Sequence, residues 1–428
     1  MGIKTKKISI KNKSEITELL GRAKADLQDA IETVKPILAD VESLGDKAIR
    51  SYTEKFDGVT LANFTITPAK EKLTISEDLQ AALLQAKQNI ETFHRAQLRE
   101  TLEIQVAGNR LGIKYTPIDS LTIYAPGGKA LYPSSILMGA IPAKVAGVKK
   151  INLLTPPNSS GSLAPGLIYA AKLVGIDTIY TIGGAQGIGA VAYGTESVKS
   201  SEFIVGPGNR YVAAAKTYLA GLGRIGIESP AGPSEVLILA DETANPEWVA
   251  CDMLSQAEHG EDSPAILVTD SEKLAEQVAK ELDRALQTRL KRREMKQKAI
   301  EEQGYILIFP SMEEGIAFSN LYAPEHLEIM TKNYNEHFQQ ILHAGSVFLG
   351  PYSPVAMGDY VSGTNHILPT AGACRIYSSL GVDTFLKRVT FQEINKESLQ
   401  ALYPHVKALS EFEGLDEEHG TSVYLRTL

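Results

Sequence analysis

Residues 176–193 read IDTIYTIGGAQGIGAVAY: a short β-branched run, a glycine pair, then an alanine- and glycine-rich stretch with helical spacing. A strand that passes through a tight glycine turn into a helix is half of a βαβ unit. The alternation continues outward in both directions. From residue 121 it runs LTIYAPGG, ILMGAIPAKVAG, KINLLTPP and APGLIYAAKLVG, and beyond the quoted stretch EFIVGPG, NRYVAAAKTYLAG and RIGIESPAG. A second series follows, with EVLILAD, EWVACDMLSQAE, AILVTD, KLAEQVAKELDRALQTRL, YILIFP, EEGIAFSNLYA, HLEIMT, NEHFQQILHAG and SVFLG. Two α/β domains with largely parallel sheets are the economical reading. The joint falls in the Gly/Pro-rich IESPAGPSE, residues 227–235, and ligands of open α/β sheets collect where strand ends meet such joints. Residues 14–56 and 76–99 carry helical spacing, and after about residue 381 the strands are expected to stop, leaving NKESLQALYPHVKALSEFEG as a helical tail.

Composition narrows the function. The 428 residues carry 43 Lys and Arg against 51 Asp and Glu, a net charge of −8, which argues against nucleic acid as a partner. The two cysteines, Cys251 and Cys374, match no paired-thiol spacing, so neither a disulfide framework nor a thiolate zinc site is indicated and a reducing cytoplasm is expected. The opening MGIKTKKISIKNKSEITELL has charge without an apolar core and reads as no secretory signal. The uncharged TIYTIGGAQGIGAVAYGT is broken by glycines and flanked by Asp177 and Glu196, wrong for a membrane span.

Within the quoted stretch, Gly187-x-Gly189-x-x-Ala192 follows a strand and opens a helix, as a dinucleotide-binding turn does, but no acidic residue is clearly placed some 20 positions on. Packing alone explains such a turn equally well. The further glycine turns APGG, GPGN and SPAGPS let backbone N–H groups approach an anion and favour a phosphate-bearing ligand. In LSQAEHGEDSP, Gln256 and His259 stand three apart at the end of a helical pattern, so both are expected on one helical face with Gly260 as the stop. They suit one metal ion, or a histidine at a helix carboxyl end. MGDYVSGTNHILPT offers Asp359 and His366 in what reads as a loop rather than a helix, and FEGLDEEHGT offers Glu413 and His419. Together these are nitrogen and oxygen ligands without thiolate, fitting Zn²⁺ or Mn²⁺. His94, His337, His343 and His405 lie in charged helical patterns and read as structural or surface groups. In YAPEHLEI, Pro324 biases Ala323 away from helix and sets Glu325 and His326 at a loop-to-strand junction. The pair reads either as a surface glutamate beside a half-buried histidine or as a base with an acidic neighbour turned into the same pocket.

As a set these strings resemble the histidinol dehydrogenase family nearly end to end: GDKAIRSYTEKFDG, FHRAQ, YAPGGKALYPSSILMGAIPAKVAGV, GGAQGIGAVAYGTE, VGPGNRYVAAAK, ESPAGPSEVLILAD, LSQAEHG, NLYAPEHLEI and MGDYVSGTNHILPT. The resemblance implies a zinc-dependent, four-electron oxidation of L-histidinol to L-histidine through L-histidinaldehyde, with two NAD⁺, closing histidine biosynthesis. It implies one Zn²⁺ per subunit and a homodimer whose site draws on both chains. Carried over by motif, the resemblance implies that Gln256, His259, Asp359 and His419 bind zinc, and that these four together with Ser234, His326 and Glu413 contact substrate. Tyr124, Gln186 and Asn209 contact NAD, with Glu325 and His326 catalytic. Both domains are expected to be incomplete Rossmann-like sheets: residues 25–122 with 234–380 as the first, 123–233 as the second, flanked by a helical arm (1–24) and a helical tail (381–428). One departure stands in the tail, where EGLDEEH places three residues between Leu415 and His419 against the family's two. The string HGTSVYLR keeps His419 in register, so the extra residue bears on where Glu413 falls.

Two other chemistries compete. A cysteine-dependent aldehyde dehydrogenase would capture the aldehyde on Cys251 or Cys374. A metal hydrolase without nucleotide would use Glu325 as general base.

Overall fold

Each buried apolar run is followed by a helix long enough to return the chain to the same edge, which is what parallel pairing requires. The structure is a computed structural model describing residues 2–21, 27–127, 131–230, 232–289 and 291–428. The chain opens with β1 (Lys4–Lys7), α1 (Lys13–Gly21), α2 (Gln28–Leu44), α3 (Asp46–Asp57), β2 (Thr65–Ile66), α4 (Glu77–Arg95), β3 (Leu102–Val106) and β4 (Asn109–Pro117). A first βα series follows: β5 (Ser120–Tyr124), α5 (Pro133–Ala146), β6 (Lys150–Leu154), α6 (Pro165–Leu173), β7 (Thr178–Tyr180), α7 (Gly184–Tyr193), β8 (Phe203–Val205), α8 (Arg210–Gly221) and β9 (Gly226–Ile227). The second is β10 (Val236–Ala240), α9 (Pro246–Ala257), β11 (Ala265–Thr269), α10 (Glu272–Thr288), α11 (Arg293–Gln303), β12 (Tyr305–Ile308), α12 (Met312–Tyr322), β13 (His326–Met330), α13 (Tyr334–Phe338), β14 (Ser346–Leu349) and α14 (Val355–Tyr360). Last come β15 (Leu386–Glu393), α15 (Lys396–Glu413) and α16 (Thr421–Thr427).

Both series wind the same way. The first gives the order β7-β6-β5-β8-β9, all parallel, with β2 antiparallel on the β7 edge. The second gives β12-β11-β10-β13-β14, also parallel, with β1 on the β12 edge. Five strands in this order are the Rossmann arrangement short of its sixth strand, as expected. Helices cover both faces of each sheet, so the central strands carry continuous apolar runs, and every residue of β10 and β11 is buried. The helices α9 and α10 pack on one face of the second sheet, with Val249, Met253, Val278 and Leu282 buried beneath them. The other face holds α1 and α12, with Leu19, Ile316 and Phe318.

Three expectations need correction. The amino-terminal segment is not a purely helical arm, because Lys4–Lys7 pair in register with Tyr305–Ile308; the expected boundary at 24/25 lies outside the described residues. Strands do not stop at 381: β15 pairs antiparallel with β4, which pairs with β3, in a three-stranded ribbon. Its residues are mostly exposed, so no buried period marks it as a strand in the sequence. The helical tail proper starts at Lys396. Finally, residues 28–95 were expected with 234–380, yet α2 packs against α7 and α8, and β2 joins the first sheet. The cause is the amphipathic α2, whose Leu38 and Val41 cover the Gly189 surface of α7.

Candidate active site

The two strands central to the second sheet, β10 and β13, pair with Val236 opposite His326. That register brings Ser234 and Glu235 beside Glu325 and His326 at the amino ends of both strands. Glu325 is buried, and its Oε2 accepts from Ser234 Oγ at 2.7 Å and from the Glu235 amide at 2.8 Å. Ala323, in the left-handed region at φ 53°, ends α12 and turns Glu325 inward. His326 is buried too, which rules out the surface reading of the pair. Its Nδ1 stands 3.0 Å from the Glu235 carbonyl oxygen, which can only accept, so Nδ1 carries the proton. In the neutral imidazole Nε2 then has the lone pair. It is buried, has no hydrogen-bond partner, and lies 3.9 Å from Asp359 Oδ1. Burial disfavours the imidazolium, but Glu325, Asp359 and the Glu235 carbonyl outweigh it and push the His326 pKa up to about 9.

Asp359 sits on the short α14, not in a loop as its sequence suggested. Gly358 lets that helix lie on Phe348, whose ring an added Cβ would meet at 2.7 Å. The neighbouring His366 is in the expected loop, with Nδ1 3.0 Å from the Asp359 carbonyl oxygen and Nε2 3.1 Å from Ser135 Oγ. Ser135 belongs to α5 of the first series, so this contact joins the two domains at the site. Burial holds His366 below the usual imidazole range.

The expected common helical face for Gln256 and His259 is half right. Helix α9 ends at Ala257 with Glu258 as its cap, so Gln256 is on the helix and buried, while His259 lies just past it and is exposed. Gln256 Nε2 has no partner, so this amide end is a buried polar group without a mate. Burial, then the charges of Asp359 and Glu258, raise the Tyr360 hydroxyl above its ordinary range. Glu413 and His419 are not brought to this cluster. Both are exposed on the tail, which is anchored to the β3–β4 turn through Asn395 and Ser398. Among the described residues no three His, Cys, Asp or Glu side chains gather as a metal cage. Within EGLDEEH, Asp416–Gly420 forms a π turn, the helical form with one more residue per hydrogen-bonded ring.

At the first sheet the expected nucleotide residues stand at carboxyl ends of strands. Tyr124 ends β5, Gln186 is in the first turn of α7, and Asn209 caps α8 by accepting from the Tyr211 and Val212 amides. Gln186 is buried with neither amide end partnered. Burial pushes the Tyr124 hydroxyl up to about 12. Gly206, at φ 115°, lies so near the Tyr124 backbone that no Cβ fits. Gly187 and Gly189 instead face Leu154, Ile182 and Leu38, so these two glycines of the fingerprint serve packing. Gly128 of APGG and Ala231 of SPAGPS lie outside the described residues.

Cys374 lies near the pair, but its Sγ donates to the Pro324 and Pro369 carbonyls, and burial followed by Glu235 and Glu325 pushes its pKa up to about 12. A thiol so held is no thiolate nucleophile. Cys251 Sγ accepts from Arg289. Sequence reasoning missed Glu235, whose carbonyl sets the His326 tautomer and whose Oε2 accepts from Tyr322, although its place beside Ser234 was a signal.

The family model for histidinol dehydrogenase matches residues 20–427. Histidinol dehydrogenase of Leptospira biflexa is 63% identical over 418 residues, 97% of each chain, and that of Leptospira interrogans is 60% identical across the whole of both. The crystal structure of histidinol dehydrogenase from Elizabethkingia anophelis superposes with a TM-score of 0.92 at 41% identity, covering 99% of this chain and 98% of that one. An acetylating aldehyde dehydrogenase from Geobacillus thermoglucosidasius, at 14% identity and a TM-score of 0.51, shares the fold alone.

Proposed function

The chain belongs to the histidinol dehydrogenase family and is an oxidoreductase of histidine biosynthesis; from that premise we propose that it oxidises L-histidinol to L-histidine in two NAD-linked steps at a zinc site completed by a second copy of the chain. The observation that carries the reading is the buried His326, with a lone-pair Nε2 directed toward Asp359 and Glu325 packed behind it.

Oxidation of an alcohol to an acid needs a base twice and one water between. His326 Nε2 takes the hydroxyl proton of the alcohol in the first half and that of the hydrated aldehyde in the second. Glu325, fixed by Ser234 and the Glu235 amide, takes the proton of the water that adds to the aldehyde. When bound, NAD⁺ supplies the hydride acceptor, and Tyr124, Gln186 and Asn209 are the residues assigned to hold it. The unpartnered Gln186 amide fits that role. A divalent ion at Gln256, His259 and Asp359 supplies orientation and charge stabilisation for substrate. The nitrogen and oxygen donors and the buried Gln256 amide suit zinc, and a fourth ligand has to come from elsewhere. His419, exposed on a tail that makes no contact with this cluster in its own chain, is assigned that place from a second copy, with Glu413 contacting substrate beside it. We read the π turn between them as taking up the extra residue, with His419 keeping its register. No helix among the described residues is long and apolar enough to cross a membrane, and we assign the enzyme to the cytoplasm on its free cysteines.

Purified protein given L-histidinol and NAD⁺ is expected to form two NADH per histidine with little free aldehyde, and to lose this after chelation. One NADH per turnover with aldehyde accumulating overturns the two-step reading. Unchanged activity after the metal is shown to be gone overturns the zinc assignment.

A further inference from the structure

Strand β13 reads His326-Leu327-Glu328-Ile329-Met330, and alternation puts Glu328 on the face of His326, toward α9 and α14. An acid in mid-sheet, between Ile238 of β10 and Phe348 of β14, needs a reason. Glu328 is fully buried. Its Oε1 accepts from the Val355 amide at 2.9 Å, at the first residue of α14. Its Oε2 meets no N–H or hydroxyl donor. What stands within hydrogen-bonding reach is another acid, Asp252 of α9. Two carboxylates so placed repel, whereas one proton between them turns the contact into a hydrogen bond and supplies the missing donor.

The surroundings agree. Burial lifts Asp252 to about 6. Burial and then the Asp252 charge lift Glu328 well above the usual range, opposed by the Val355 amide and His326. The flanking Ile238, Phe348 and Val355 carry no charge, so Asp252 and His326 are the titratable groups that face Glu328. Spacing gives the contact its purpose. Gln256 lies one helical turn after Asp252, Asp359 one turn after Val355, and His326 two residues before Glu328 on the same face.

We propose that Glu328 and Asp252 share one proton, and that this bridge, with the bond to Val355, braces the elements carrying Gln256, His326 and Asp359 in register for metal and base. Both are positioning residues. The proposal uses the zinc reading for one of its measurements only.

Glu328→Gln keeps the shape, accepts from Val355 and donates to Asp252 with no shared proton; Asp252→Asn does the converse; Glu328→Leu breaks both bonds. Zinc affinity, by competition with a chelating dye, should fall about 10- to 100-fold in Glu328→Leu and stay within about threefold of wild type in Glu328→Gln. Infrared spectra of wild type at neutral pH should contain a protonated-carboxyl band that is lost in both amide variants. Absence of that band in wild type, its survival in both amide variants, or an equal loss of affinity in Glu328→Gln and Glu328→Leu overturns the proposal. Should Glu328→Leu fail to fold, the two amide variants decide it. Wild type that binds no zinc would defeat the metal reading, while the band would still decide the shared proton.

Discussion

The two sheets share one strand order and differ in the end they use. In the first, Tyr124, Gln186 and Asn209 stand at carboxyl ends of strands, two of them flanking the β5/β8 switch point where open α/β sheets bind ligands. In the second, the corresponding β10/β13 position is closed: Asp241, just past β10, accepts from the Lys332 amide beyond β13 and from Thr243. Its buried polar cluster lies at the amino ends, where Ser234, Glu235, Glu325 and His326 meet. The duplication of a fold therefore does not duplicate its site. One copy sets the amino termini of α7 and α8 at its strand ends, and the other sets the carboxyl end of α9 and buried acids beside its strands. The contact of His366 with Ser135 sets these opposite ends against each other.

The largest effect is expected at His326. Replacing it with alanine should slow oxidation of both histidinol and added histidinaldehyde by about 10²- to 10⁴-fold, because one base serves both halves. Glu325→Ala should impair the aldehyde half more than the alcohol half, and equal losses measured in the two would assign Glu325 to positioning His326. Metal should follow the second sheet alone: His259→Ala or Asp359→Ala should lose bound zinc by elemental analysis, and full metal content in both would place the cage elsewhere. The pH profile sharpens the same end. Since His326 acts as the neutral imidazole and is raised to about 9, kcat/KM should climb toward alkaline pH. Glu325→Gln removes the leading influence that raises it and should move that limb to lower pH; an unmoved limb would assign it to another group. The smallest effect belongs to the first sheet. Gln186→Ala should weaken NAD⁺ binding, followed by calorimetry, by about 3- to 10-fold, the worth of one hydrogen bond, with zinc content unchanged.

The residue types of the site were readable because chemistry restricts them: Gln256, His259, Asp359 and His326 stand out in any segment. Their settings were less so. The end of α9 before His259 and the helical Asp359 escaped notice because a few residues carry too little period to mark a helix boundary. Glu328 left a signal, a charge within an apolar strand, that nothing local explained.

The two βα series, their buried parallel strands and the family are legible along the chain, since burial period and motif order are properties of neighbouring residues. Tertiary structure alone decided which sheet end each series uses, which proton His326 carries and which acid Glu328 faces. Those depend on contacts such as Ser234 to Glu325, 91 residues apart, made only when β10 and β13 pair with Val236 beside His326. A register of that kind is set by how strands order in a sheet, and no run of adjacent residues encodes it.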